Sequence, residues 1–217
     1  PDDVQLVRVL GSEQLSEAQT AAVKQEEKKI DRRVYEELGI QKDRSEQDEP
    51  GVKVLIPSFR ANDSHVVLLE LNVPPGAGSR ELARVEVKYK DVPKRKNETL
   101  KAVAQAAYAV DRASSVASIQ RPVKKNILGF QTGEALMAAS RLIDRGDPAA
   151  AIRKIDDQLV LIGVAAREWR DRDLERDALM LGQYKDTLVA VHRRGWNQEL
   201  AAYLGKSFSY SAYQRLK

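Results

Sequence analysis

The sequence predicts an α+β fold: a small antiparallel β-sandwich with an inserted charged helix, followed by a C-terminal helical bundle. Three observations carry that reading. In HVVLLELNV, Val67, Leu69, Leu71 and Val73 fall on one side of a period-2 pattern. In RELARVEVKYKD, Ala83, Val85, Val87 and Tyr89 do the same while Arg84, Glu86 and Lys88 point the other way. Successive side chains of a strand leave opposite faces, so this alternation marks half-buried strands. Beyond Asp111 the apolar spacing changes to that of helices, and strand signals cease.

The elements follow in order. VQLVRVL (4–10) reads as a short strand stopped by Gly11. Leu15, Ala18, Ala22, Val23, Ile30, Val34 and Leu38 keep close to a 3.6 period and Gly39 supplies a stop, giving a helical insertion over about 12–40. Its apolar stripe is thin and the remainder is Lys, Arg and Glu, as in a helix that lays one narrow face down or meets a partner. QKDRSEQDEPG (41–51) is a polar connector ending in Pro-Gly, and VKVLIPSF (52–59) reads as a strand with Pro57 at an edge or end. The two alternating runs then pair as antiparallel strands across PPGAG, which is read as their hairpin connection. DVPKRKN is a second hairpin tip. In NETLKAVAQAAYAV the alanines favour helix, but the alternation of Leu100, Ala102, Ala104, Ala106 and Tyr108 selects a strand.

This completes a sandwich domain over 1–112. DRASSVASIQRP is small and polar, and 120–217 forms the helical domain. Leu136, Ala139, Leu142 and Ile143 make a helix face ending at Gly146. Asp147-Pro148 starts the next helix, with Asp as cap and Pro at the first helical position. Ile152, Ile155, Leu159, Ile162 and Ala166 trace its inner face, and only DRGDP separates the two helices, so they fold back as a hairpin. A third helix runs from about Leu174 to His192, and an aromatic tail, KSFSYSAYQRLK, closes the chain.

The 217 residues are 42% hydrophobic and 31% charged, a composition suited to one large or two modest cores. No apolar run reaches the length of a membrane span. The absence of cysteine excludes disulfides, zinc–thiolate sites and cysteine nucleophiles together. The net charge of +4 is a mild excess of 36 basic over 32 acidic residues, and the one single-sign block is Lys94-Arg95-Lys96.

Catalytic templates find little to hold. His65 and His192, the two histidines, fall in different expected domains, and His192 with Arg193 and Arg194 suits a helix C-terminus. PPGAGSR lacks the Lys-Ser/Thr ending of a phosphate loop. Asp156, Asp157, Asp171, Asp173 and Asp177 read as helix caps and solvated faces, without the loop of a calcium site. The expectation is therefore a chain that is not an enzyme, with no catalytic, cofactor-binding or metal-binding residue of its own. Two features suit partners instead: the exposed face of the inserted helix (Lys24, Lys28, Arg32, Tyr35) and the tail (Phe208, Tyr210, Tyr213), although the tail is expected first of all to dock on the protein itself. Lys94, Arg95 and Lys96, with Lys88, Lys90 and Lys101 nearby, could follow a nucleic-acid backbone or another polyanion, but Tyr89 is the lone stacking aromatic and Glu86 and Glu98 intervene.

In the order of VQLVRVLG, VKVLIPSF, SHVVLLELNVPPGAG and RELARVEVKYKDV, then helices hinged at LIDRGDPAAAIRKID and the ending SYSAYQRLK, the chain resembles the region downstream of the metal-binding domain in bacterial von Willebrand factor A domain proteins. The likeness covers about residues 50–217. It implies a scaffold that serves an adjacent binding domain in adhesion or complex assembly, with protein partners that include the rest of a longer parent chain. A divalent metal would belong to that other domain: the family's Asp-x-Ser-x-Ser loop is absent, and DRASS (111–115) has Ala113 where the first serine belongs. The resemblance leaves the compartment open and favours the bacterial cell envelope over the cytoplasm. Nucleic-acid or polyanion binding through 88–101 stands as the alternative function.

Overall fold

A computed structural model describes residues 3–11, 17–41, 54, 56, 59–60 and 63–216. It has the α+β architecture that the patterning predicts. In chain order its elements are β1 (Gln5–Leu10), α1 (Glu17–Leu38), β2 (Leu68–Asn72), β3 (Ser79–Asp91), β4 (Lys96–Ala107), α2 (Arg112–Ser118), α3 (Arg121–Asp144), α4 (Pro148–Trp169), α5 (Arg172–Arg194) and α6 (Gln198–Leu216). Two compact units result. The first comprises 1–9, 13–63 and 69–117, and the second 10–12, 64–68 and 118–217.

In the first unit β1 pairs with β2, and β3 with β4, as separate two-stranded sheets among the described residues. The expected pairing of the two Val/Leu-rich runs across PPGAG is therefore corrected. β3 takes β4 as its partner in an antiparallel register from Ser79 opposite Ala107 to Asp91 opposite Lys96, far longer than the five residues of β2 could supply. PPGAG is a crossover from one sheet to the other, wrapped around Tyr108. The Tyr108 hydroxyl donates to the Pro74 carbonyl, its amide donates to the Gly78 carbonyl at 2.8 Å, and its ring lies so close to Gly76 that a Cβ there would stand 2.9 Å from it. Gly78 holds φ +75°, a left-handed conformation that glycine adopts without strain. The strand expected over 52–59 lies mostly outside the described residues; Val54, Ile56 and Phe59 are not in a strand.

β4 forms as the alternation predicts, against the helical preference of its alanines, because every residue from Lys96 to Ala107 has a partner on β3. The tip is a turn over Val92–Arg95. The Asp91 side chain accepts from the Lys94 amide at 3.0 Å, and Arg95 takes φ +53°. α1 ends where Gly39 (φ +70°) reverses the chain, and Ile40 beyond it is buried.

The helical unit holds the principal core. α3 packs on α4 and α6, and α4 on α5. Leu136, Ile143, Ile155, Ile162, Leu174, Leu181, Leu188 and Phe208 are buried within one cluster. Asp147 caps α4 as expected, its side chain accepting from the Ala150 amide at 2.9 Å, with Pro148 in the first turn. Asp171 caps α5, accepting from the amides of Asp173 (3.0 Å) and Leu174 (3.2 Å). Two features differ from expectation. DRASSVASIQRP contains a short helix, α2, whose first turn is held by Asp111 accepting from the Ser114 amide at 2.7 Å. The closing segment is the continuous helix α6 and not an appended tail, and Ala201, Leu204, Phe208 and Ala212, buried along one face, dock it on the helical unit as the tail was expected to dock. Within this unit Gly11 (φ +81°) is packed so tightly that a Cβ would lie 2.1 Å from the Val66 carbonyl oxygen, and its amide donates to the Leu216 carbonyl.

Buried polar groups in this unit are satisfied among themselves. Thr132 donates to the Leu128 carbonyl at 2.8 Å, Gln158 donates to the Thr132 hydroxyl at 3.1 Å, and the Ser140 hydroxyl bonds to the Gly205 carbonyl and to Ser209.

Two predictions follow from this core. Phe208→Ala should lower the unfolding free energy of the helical unit by about 3–5 kcal/mol, read by chemical denaturation, whereas Tyr210→Ala, on the same helix but 67% exposed, should change it by less than about 0.5 kcal/mol. Hydrogen bonding to Lys125 holds the Asp171 carboxyl below its usual range. A carboxyl depressed by folding stabilises fully above its unfolded value near pH 4 and loses that contribution as pH falls through the lower folded value. Asp171→Ala should therefore cost about 1 kcal/mol at neutral pH, and its difference from the parent chain should shrink on acidification below about pH 4 in thermal denaturation.

Candidate interaction surface

The β3–β4 ribbon carries its two kinds of side chain on two faces. The register sets Ala83, Val85, Val87 and Tyr89 opposite Ala104, Ala102, Leu100 and Glu98 on one face, and Arg84, Glu86 and Lys88 opposite Val103, Lys101 and Thr99 on the other. The apolar face was expected to be half-buried. Over the outer part of the ribbon it is open: Val85, Val87, Tyr89 and Leu100 are between 40% and 59% exposed. A β-bulge between Glu81 and Ala83 separates this part from the base of the ribbon, where residues 80–83 are partly covered. There Arg80 donates to the Tyr108 hydroxyl at 2.9 Å and to Asp3 at 2.5 Å, and the Arg80 hydrogen bond depresses the Asp3 carboxyl. Tyr108 thus clamps the base. In the sequence it was legible as a strand residue, not as the clamp.

Most of the basic side chains here are matched by carboxylates. Glu86 stands 3.0 Å from both Lys88 and Lys101, and hydrogen bonds from Lys101 and then Lys88 hold its carboxyl low. Lys94 lies 2.9 Å from Asp91, which raises the lysine and lowers the aspartate. Lys96 lies 2.6 Å from Glu98. Lys94, Arg95 and Lys96 do stand together at the tip, as expected, but two of the three are already ion-paired.

The C-terminal end of α1 is tied to the ribbon. Lys90 reaches the buried Asp31 at 3.3 Å, and the Gln41 carbonyl accepts from Lys90 (3.3 Å) and from the Asn97 amide side chain (2.9 Å). Lys24, Lys28, Arg32 and Tyr35 are all exposed, and their spacing sets them along one side of the helix. Of the tail residues, Phe208 is wholly buried, its ring tilted by 59° against that of Tyr184 with centroids 4.5 Å apart, so it serves the core and presents nothing to a partner. Tyr210 and Tyr213 are exposed at 67% and 42%. Tyr203, which sequence reasoning did not single out, is 71% exposed and extends the same helical stripe. Its place seven residues before Tyr210 was the available signal.

The helical unit also has a shallow cavity of about 220 Å³ whose lining includes Val66, Phe130, Lys125, Asp177 and Arg215. Its charged groups are engaged: Arg215 forks onto Asp177 at 2.5 and 2.8 Å, and Lys125 meets Asp173 at 2.7 Å and Asp171 at 3.0 Å. Among the described residues there is no group of three or more side chains suited to hold a metal ion, and no helix long and apolar enough to cross a membrane. Comparison with protein-family models, curated proteins and solved structures finds no match.

Proposed function

We propose that this chain is a non-catalytic protein-interaction module, a scaffold that accompanies a von Willebrand factor A-type binding domain in adhesion or complex assembly. The observation that carries the interaction reading is the open apolar face of the β3–β4 ribbon, where Val85, Val87, Tyr89 and Leu100 lie side by side in water. Contiguous exposed apolar side chains on a sheet are costly to leave uncovered and mark surfaces that meet another molecule. The charged side of α1, with Lys24, Lys28, Arg32 and Tyr35, supplies a second exposed surface in the same unit. The link to von Willebrand factor A proteins rests on the sequence resemblance over about 50–217. On this reading the chain binds no cofactor itself, and a divalent metal belongs to the neighbouring domain.

The test uses the intact chain as bait in a lysate, beside a Val87→Lys/Leu100→Lys variant and a chain lacking residues 12–48. The intact chain should retain a stoichiometric protein partner. Loss with the double variant assigns binding to the ribbon, and loss with the deletion assigns it to α1. Capture of nothing but nucleic acid, released by moderate salt and abolished by Lys94→Glu, Arg95→Glu and Lys96→Glu together, would replace this proposal with polyanion binding.

A further inference from the structure

We infer that the outer edge of β4 is the docking position, and that its occupant is an extended segment of a protein partner in which acidic residues alternate with apolar ones. This rests on the interaction-module reading and gives the partner its chemistry. Among the described residues β4 pairs on one side only, with β3. Every residue from Thr99 to Ala107 is exposed. A strand edge offers a row of N–H and C=O groups to any extended chain, and proteins ordinarily guard such edges with charge, proline or a bulge. β3 is guarded in this way, with Arg84, Glu86 and Lys88 at alternate positions and the ribbon's bulge at Glu81/Ala83. β4 from Ala102 to Ala107 has neither a charge nor a proline, and its small side chains let another backbone approach.

The two faces of the ribbon dictate what the incoming strand must carry. On one face its side chains would lie beside Leu100, Ala102 and Ala104, backed by Val87, Val85 and Ala83, so these positions take apolar residues. On the other they would lie beside Thr99, Lys101 and Val103, where Glu86 is shared by Lys88 and Lys101 and Arg84 is paired with Glu81. A carboxylate on this face would lie beside Lys101, which shares Glu86 with Lys88. Between Ser79 and Ala107 eight basic residues face four acidic ones, and with Asp3 on Arg80 and Asp31 on Lys90 counted the ribbon keeps a surplus of two basic charges. A second copy is disfavoured on the same ground, since it would set one basic ribbon against another. Main-chain hydrogen bonds would supply the affinity and the alternating side chains the selectivity, as in other cases of strand addition.

The test is fluorescence anisotropy with the intact chain and a capped, labelled Val-Glu-Val-Glu-Val-Glu-Val peptide. Saturable binding should weaken as salt is raised. A Val-Lys counterpart, and the acidic peptide with its central valine replaced by proline, should each bind at least about tenfold more weakly. Hydrogen exchange should slow at alternate amides of 99–107 on peptide addition. Ala104→Asp should weaken the acidic peptide about tenfold and Val103→Lys should tighten it, with circular dichroism unchanged in both. Equal binding of the lysine or proline peptide would overturn the inference, as would indifference to both variants or binding confined to phosphatidylserine vesicles. If a protein partner is retained equally by Ala104→Asp and is not displaced by the acidic peptide, strand addition fails while the interaction-module reading stands.

Discussion

A two-stranded antiparallel ribbon can pair the main-chain groups on only one side of each strand, and it covers neither of its own faces. The behaviour of the N-terminal unit turns on this. β3 and β4 are paired over their length apart from the bulge at Glu81/Ala83, so their shared side is satisfied, but what lies outside that ladder must be met by other elements or by water. At the base Tyr108, Arg80 and Asp3 close the structure, and at the tip the end of α1 is held through Lys90, Asn97 and Gln41. Between these two anchors Val85, Val87 and Leu100 stand in the open. A ribbon braced at both ends and bare in the middle keeps its conformation without a covering layer, so a partner would meet a formed surface and lose little freedom in ordering it.

The helical unit is built on the opposite terms. Every backbone hydrogen bond of a helix is internal except at its ends, so burying one stripe and capping the termini is sufficient. Asp147 and Asp171 do the capping, and Thr132, Gln158 and Ser140 are each engaged inside the core. What such a unit leaves outside is scattered, and its exposed tyrosines at 203, 210 and 213 ride on a helix whose other face is anchored by Leu204 and Phe208.

The difference explains what could be read from the sequence. Helix ends were legible where one residue does the work: Asp147-Pro148, Gly146 and Gly39 stop or start helices through local geometry alone. β4 was legible because alternation survives even in an alanine-rich run. The pairing of strands was not, since a period-2 pattern says which side chains share a face and nothing about which strand lies alongside. Hence PPGAG looked like a hairpin, while its real role, to wrap Tyr108, depends on a residue about thirty positions away. α2 escaped because the serines of DRASSVAS weaken the helix signal until Asp111 is recognised as the cap. Phe208 was grouped with Tyr210 by proximity, but two residues on a helix differ by about 200° in direction, which sends one into the core and the other into solvent.

Of the candidate surface, the charge was legible and its pairing was not. Lys94-Arg95-Lys96 is conspicuous in one dimension, and Asp91 and Glu98 become its counterweights only when the hairpin closes. That closure separates two roles for charge. At contact distance the tip lysines already have carboxylates, and a phosphate backbone would have to compete with each of them. At longer range the ions of a pair largely cancel and what remains is the surplus, which would draw an acidic partner towards the ribbon without specifying where it lands. Position must come from something directional, and the undefended edge of β4, with its row of main-chain donors and acceptors, has that property where the charged tip does not.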